Sequence, residues 1–208
     1  MSEPNNIDGM NALQRALKRV GDVVGAMILL VLFFPFCLIL FIIYKLTGCG
    51  DVLYRQERIG LHGRPFQIYK FRTMITNAES DGVPMLEKQD DARLLKYGKF
   101  MRSHHIDEIP QLLNVLKGDM SFVGYRPERR YFIDKIMEHN PDYSLLFVSR
   151  PGVTSLATIR NGYTDTMEKM LRRLDYDLDY LRHRSLLLDW KIIIETILSI
   201  YVKPCARS

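Results

Sequence analysis

Cysteine is scarce and scattered in this 208-residue chain. Cys37, Cys49 and Cys205 are odd in number and show no C-x-x-C spacing. That argues against a disulfide framework or a zinc site and favours a reducing compartment. Internal repeats and low-complexity tracts are missing as well, and the length suits one domain with a real core. Acidic residues are in the minority: 24 Asp and Glu against 29 Lys and Arg leave a net charge of +5. The balance suits an anionic substrate or anionic lipid without choosing between them. The cations form no stripe on one helix and match no reader motif, so no nucleic-acid partner is expected.

Charge is also absent from a long internal stretch. Val23 to Tyr44 contains no Asp, Glu, Lys or Arg, and at about 1.5 Å per residue it could cross a bilayer as one helix. It is too long for the apolar core of a signal peptide and lacks a small-residue cleavage site, so it is expected to be retained. Pro35 lies near its middle, where it removes a backbone hydrogen bond and presses on the carbonyl of Val31; a kink is expected there. Both flanks are basic, with Arg15, Lys18 and Arg19 before the run and Lys45, Arg55 and Arg58 after it. A simple crossing carries its positive charge on one side. Basic ends on both sides fit a helix that enters, bends at Pro35 and leaves by the same face, although a kinked transmembrane anchor fits the pattern too.

Beyond Lys45 the chain turns polar. Asp51 to Gln56 and Phe66 to Met74 read as strands around a turn at Gly60 to Pro65, with Lys70 and Arg72 on one face of the second. Thr76 to Asp91 reads as a polar loop. A helix is predicted from Ala92 to Arg102, a strand from Met120 to Val123, and a helix from Arg129 to Glu138. Arg150 to Thr154 reads as a turn leading into a short strand that ends at Ile159. Two further helices are expected, over 165–182 and from Ser185 to Tyr201. The last is apolar enough to lie in a membrane interface with Trp190 at headgroup level, and a buried core helix would look the same.

The acidic pair Asp107-Glu108 stands out in this basic setting. Pro110 is tolerated only in a first turn. Ile109, Leu112, Leu113 and Leu116 then form one apolar face, and Gly118 reads as the stop. The two carboxylates therefore sit at the positive end of a short helix and are expected to stay ionised near neutral pH. Helix capping alone accounts for such a pair. An ionised carboxylate can also act as a nucleophile or a metal ligand. Lys70, Arg102, Arg126 and Arg160 lie beside loops or on strand faces and have the chemistry to hold phosphate. If they converge on the pair, a carboxylate could attack phosphorus, with magnesium bridging carboxylate and phosphate to offset the repulsion between anions. Adjacent His104 and His105 do not face the same way on a helix, which argues against a transition-metal site.

The chain resembles the bacterial sugar transferases, the small monotopic phosphoglycosyl transferases, from about Leu17 to Tyr201. The resemblance rests on ordered motifs: Lys18-Arg19-Val20-Gly21-Asp22; the apolar run with Pro35; Tyr69-Lys70-Phe71-Arg72-Thr73-Met74; Arg102 followed by Asp107-Glu108-Ile109-Pro110-Gln111-Leu112; Asn114 to Gly124; Arg126-Pro127; Arg150-Pro151-Gly152-Val153-Thr154; and Leu188-Asp189-Trp190-Lys191. It implies an α+β, membrane-associated protein with a re-entrant N-terminal helix hairpin and a small sheet surrounded by amphipathic interfacial helices. The implied layout is a tail over 1–16, the re-entrant helix over 17–46, a cytoplasmic catalytic domain over 47–201 and a tail over 202–208. The implied reaction moves a phospho-sugar from a UDP-sugar to polyprenol phosphate and releases UMP. It is the first membrane step of glycoconjugate assembly, ahead of downstream glycosyltransferases, at the cytoplasmic face of the bacterial inner membrane.

By the same resemblance Asp107 would be the nucleophile that takes the phospho-sugar covalently, and Glu108 would assist the lipid phosphate or the Mg2+ ion. Lys70, Arg102 and Arg126 would hold phosphates, and Asp189 occupies the family's acidic position in the C-terminal helix. Phe34 replaces a serine common before the proline, His105 and Tyr125 also depart from the pattern, and Arg160 is displaced within Thr158 to Tyr163. A non-catalytic, membrane-anchored binder of anionic lipid or nucleotide sugar would use the same charges for affinity alone.

Overall fold

The computed structural model describes residues 7–47, 51–75, 92–95, 97–162 and 164–202. The polar segment from Thr76 to Asp91 lies outside them. Among the described residues, seven α-helices and four short strands follow one another: α1 (Ala12–Thr47), β1 (Leu53–Ile59), β2 (Pro65–Phe71), α2 (Gly98–Ser103), α3 (Leu112–Lys117), β3 (Ser121–Val123), α4 (Arg130–His139), β4 (Gly152–Thr154), α5 (Leu156–Asn161), α6 (Met167–His183) and α7 (Leu186–Val202). Tight 3-10 turns cover Ile106–Gln111 and Pro141–Val148. β1 and β2 form an antiparallel hairpin, and β3 pairs with β4 in parallel. The mixed helix and small-sheet class matches the expectation.

The predicted helix over 92–102 is shorter than read. Leu94 is drawn into an antiparallel bridge with Met74, and helix begins only at Gly98. The strand expected to end at Ile159 is also corrected. It stops at Thr154, and Ser155 caps α5 by accepting the Thr158 N–H at 3.0 Å. The β-branched residues suggested extension, and a capping serine overrides them.

α1 is a single 36-residue helix with Pro35 inside it, about 54 Å long at the standard rise. Its inward face recurs every three to four residues. Arg19 donates to the carbonyls of Val115 and Leu116, at 2.6 and 2.9 Å, and Asp22 accepts the Phe122 N–H. Ala26, Leu29, Leu30 and Phe33 pack with Val115, Ile68 and Met120. Cys37, Leu40 and Tyr44 pack with Phe71 and Met101. Both ends are tied to the same folded body. At the N-terminal end the Gly9 N–H reaches the Leu181 carbonyl and Asp8 takes a two-pronged bond from Arg184. At the other end the Tyr44 hydroxyl donates to the Arg72 carbonyl. The outward face is apolar and bare: Val20, Ile28, Val31, Leu32 and Phe34 are all exposed, Val31 at 77%.

α7 has one buried face, as a core helix would, and one bare apolar face. Ile192 is fully buried with Leu188 and Ile193 around it. Leu187, Trp190, Ile194, Ile197 and Leu198 form an exposed apolar stripe at helical spacing. Asp189 joins the two long helices: it takes the Lys18 ammonium at 2.5 Å and the Tyr180 hydroxyl at 2.6 Å, and all three groups are largely out of water.

Candidate active site

The acidic pair lies on the 3-10 turn Ile106–Gln111, which runs straight into α3. The tighter turn, rather than the expected first α-turn, accommodates Pro110. Gly118 closes α3 in the left-handed conformation with φ of 92°, as its position suggested. What fixes this unit against the hairpin is Asn114. Its side chain is fully buried and treats the outer edge of β2 as a strand would. It accepts the Tyr69 N–H at 3.1 Å and donates to the Gln67 carbonyl at 2.7 Å. An edge that would otherwise leave backbone groups unpaired is satisfied. The next residue along β2, Lys70, is thereby held beside Glu108.

Lys70 Nζ stands 2.9 Å from Glu108 Oε1, and His105 Nδ1 stands 3.8 Å from Oε2. Burial alone would raise the Glu108 carboxyl. Lys70, His105 and Arg126 outweigh it and hold the group well below the usual carboxylate range. The neighbouring Glu108 carboxylate in turn raises His105. Asp107 is buried, with 4% of its surface exposed. His105 takes a left-handed backbone, φ 54°, at a cost of about 1–2 kcal/mol for a residue with a Cβ. That conformation turns its ring back toward Glu108. Sequence reasoning set His105 aside as half of a histidine pair. The i, i+3 relation to Glu108 was the signal that could have found it.

Arg126 arrives from a different direction. Gly124 precedes it where two backbones touch; a Cβ there would lie 2.4 Å from the Arg150 carbonyl oxygen. Arg102, in the last turn of α2, donates through Nε to Thr73 Oγ1 at 2.9 Å. Of the sequence candidates, Lys70 thus pairs with Glu108, the charge of Arg126 acts on the same carboxylate, and Arg102 reaches the end of the β2 segment. The other two lie apart. Arg160 is exposed in the last turn of α5, and Asp189 is engaged with Lys18 and Tyr180.

A buried carboxylate next to a second one held ionised by Lys70, His105 and Arg126 forms an electrostatic cradle suited to a phosphorylated substrate. The family described as Bacterial sugar transferase matches residues 13–203. The chain belongs to that family.

Similar proteins include the UDP-glucose:undecaprenyl-phosphate glucose-1-phosphate transferase of Caulobacter vibrioides, 43% identical over 88% of this chain and 69% of its own length. The Klebsiella pneumoniae protein of the same name is 38% identical over 95% of this chain and 43% of its own. The UDP-N-acetylgalactosamine-undecaprenyl-phosphate N-acetylgalactosaminephosphotransferase of Aeromonas hydrophila is 38% identical over 92% of this chain and 45% of its own. The chain thus spans less than half of the last two relatives. In this sugar transferase the matched region includes the candidate residues Lys70, His105, Asp107, Glu108 and Arg126.

Proposed function

We propose that the protein transfers a phospho-sugar from a UDP-sugar to polyprenol phosphate in two displacements. In the first, an Asp107 carboxylate oxygen attacks the β-phosphorus. The bond from that phosphorus to the bridging oxygen breaks, and UMP leaves with the electron pair. In the second, an oxygen of the polyprenol phosphate attacks the aspartyl-bound phosphorus, giving polyprenyl diphosphate-sugar and freeing Asp107. An aspartate needs no base for this, being ionised at neutral pH. The observation that carries the reading is the Lys70–Glu108 ion pair, with His105 alongside and the charge of Arg126 acting on it, beside a buried Asp107. Cations aimed at a phosphoryl group stabilise the charge that builds there during transfer.

The donor set fits Mg2+. Among the described residues no group of three or more His, Cys, Asp or Glu side chains could cage a metal. Magnesium needs only one or two carboxylates and completes its shell with water and substrate phosphates. Asp107 and Glu108 would hold it, and its charge would screen the diphosphate.

α1 is the one helix among the described residues long and apolar enough to cross a membrane. Its two ends are both tied to one folded body. A straight crossing would put those ends on opposite sides of about 30 Å of hydrocarbon. This supports a re-entrant course bent at Pro35, with the bare faces of α1 and α7 in lipid and the site at the cytoplasmic surface of the inner membrane. Polyprenol phosphate is then met at headgroup level, and the product passes to downstream glycosyltransferases.

The test is UMP release from a panel of UDP-sugars with purified protein. Release should require polyprenol phosphate for sustained turnover and should need Mg2+. Asp107→Asn should abolish it while the circular dichroism spectrum stays unchanged. Normal turnover by that variant would remove Asp107 from the nucleophile's role.

A further inference from the structure

The basic residues at the start of α1 take no part in the scheme above, and neither does Arg150 ahead of β4. They line one cleft. Arg15, Lys18 and Arg19 of α1 border it together with Arg150 and with Arg184, which lies between α6 and α7. Leu61 and Val148 add an apolar wall. Its outer part has a volume of about 540 Å3, room for a phosphate group and more. Lys70, His105, Asp107, Glu108 and Arg126 are not in the lining.

The charges in this cleft do not balance. Arg15 and Arg184 share Asp8, at 2.9 and 2.6 Å, and Lys18 holds Asp189 at 2.5 Å. Asp22 lines the inner part and accepts the Phe122 N–H. Five cations thus meet three carboxylates. Arg19 and Arg150 are the two without an ion pair. Arg19 donates to the carbonyls of Val115 and Leu116. Arg150 donates only through Nε, to the Gly118 carbonyl at 2.8 Å. A guanidinium carries five N–H groups, so the terminal nitrogens of Arg150 keep all of theirs. Burial and the like charge of Arg19 lower the Arg150 guanidinium from its ordinary value, and Asp22 opposes them. Ser121 gives an independent sign. It lines the inner end, is 1% exposed, and its hydroxyl has no hydrogen-bond partner. A buried hydroxyl is normally partnered, and an oxyanion in the cleft would supply the acceptor.

We propose that this cleft is a second anion site, which takes a phosphate group on the terminal nitrogens of Arg150 and the hydroxyl of Ser121, with Arg19 beside them. The planar guanidinium fork matches phosphate oxygens. Two sources carry that group, the headgroup of an anionic phospholipid and a soluble phosphate. The surroundings favour the lipid. Leu13, Leu17 and Val20 are interleaved with the basic residues on α1 and are exposed at 68, 51 and 61%. A phosphate held here at headgroup level would tie this end of α1 to the membrane surface. That placement rests on the membrane course of α1 proposed above; the charge excess and the unpartnered hydroxyl do not.

The test is isothermal titration calorimetry on the full-length protein in detergent. The probes are inorganic phosphate, dihexanoyl phosphatidylglycerol and, as a net-neutral control, dihexanoyl phosphatidylcholine. Binding of phosphatidylglycerol or of inorganic phosphate should weaken about tenfold in Arg150→Gln and in Ser121→Ala, the loss of one hydrogen bond to a charged group. It should persist in Lys70→Met, which alters the acidic-pair site instead. Ser121→Ala removes a single oxygen and carries the test if Arg150→Gln does not fold. Binding of phosphatidylglycerol alone assigns the lipid source. Binding of inorganic phosphate alone assigns the soluble source, keeps the anion site and removes its support for the membrane course of α1. No turnover is involved, so the outcome is independent of the transfer reaction. Three results would each overturn the proposal: no binding of either anionic probe, equal binding of phosphatidylcholine, or binding by Ser121→Ala and folded Arg150→Gln as tight as by the wild type.

Discussion

At the residue scale the central event is that Glu108 is ionised by its surroundings and not by exposure. Burial works against the charge, and Lys70 is the foremost of the groups that overcome it. Lys70→Met should therefore let the Glu108 carboxyl climb back toward the ordinary carboxylate range. If activity needs the carboxylate, the acidic limb of the pH–rate profile should move to higher pH, by about one unit for each 1.4 kcal/mol of lost interaction. An acidic limb that stays in place would mean that Glu108 ionisation does not govern the rate. The identities of these residues were legible in the sequence, but their meeting was not. Lys70 and Glu108 lie in different elements, and the amide that registers one against the other, Asn114, gives no local sign of it. The place of His105 beside Glu108 is not legible either, because local sequence gives no sign of its left-handed backbone, φ 54°.

Among the elements, α1 was the most legible and its course the least. Absence of charge from Val23 to Tyr44 announces an apolar helix, and Pro35 announces a weak point. Neither says that one face of the helix is sewn to the folded body from Arg19 to Tyr44. That stitching depends on residues such as Ala26 and Asp22, whose partners are about a hundred residues away in sequence. The misread stretches, residues 92–95 and α5, are short. Local propensity decides little there, and a single cap or bridge decides the outcome. The membrane course makes its own prediction. With the native cysteines replaced by serine, single cysteines at the exposed positions 12 and 55 should both react with an impermeant thiol reagent from the same side of sealed vesicles. Labelling from opposite sides would make α1 a plain crossing.

For the whole molecule, three parts serve one geometry. The hairpin presents Lys70, the 3-10 turn presents the acidic pair, and α6 holds Glu128, two residues beyond Arg126, through Arg173, while α1 and α7 leave apolar faces where a lipid substrate could approach. The sequence motifs in order identified the family, and residues 13–203 match it. Which sugar would be used is not legible in the ordered motifs, because contacts that select a substrate concentrate in loops. The measurement that bears most directly on the account is the intact mass of the protein after incubation with a UDP-sugar substrate and Mg2+ without polyprenol phosphate. The account predicts a species heavier by one phospho-sugar, formed with about one UMP per protein, discharged on adding polyprenol phosphate and absent from Asp107→Asn. UMP formed only when both substrates are present, with no adduct at any time, would contradict it.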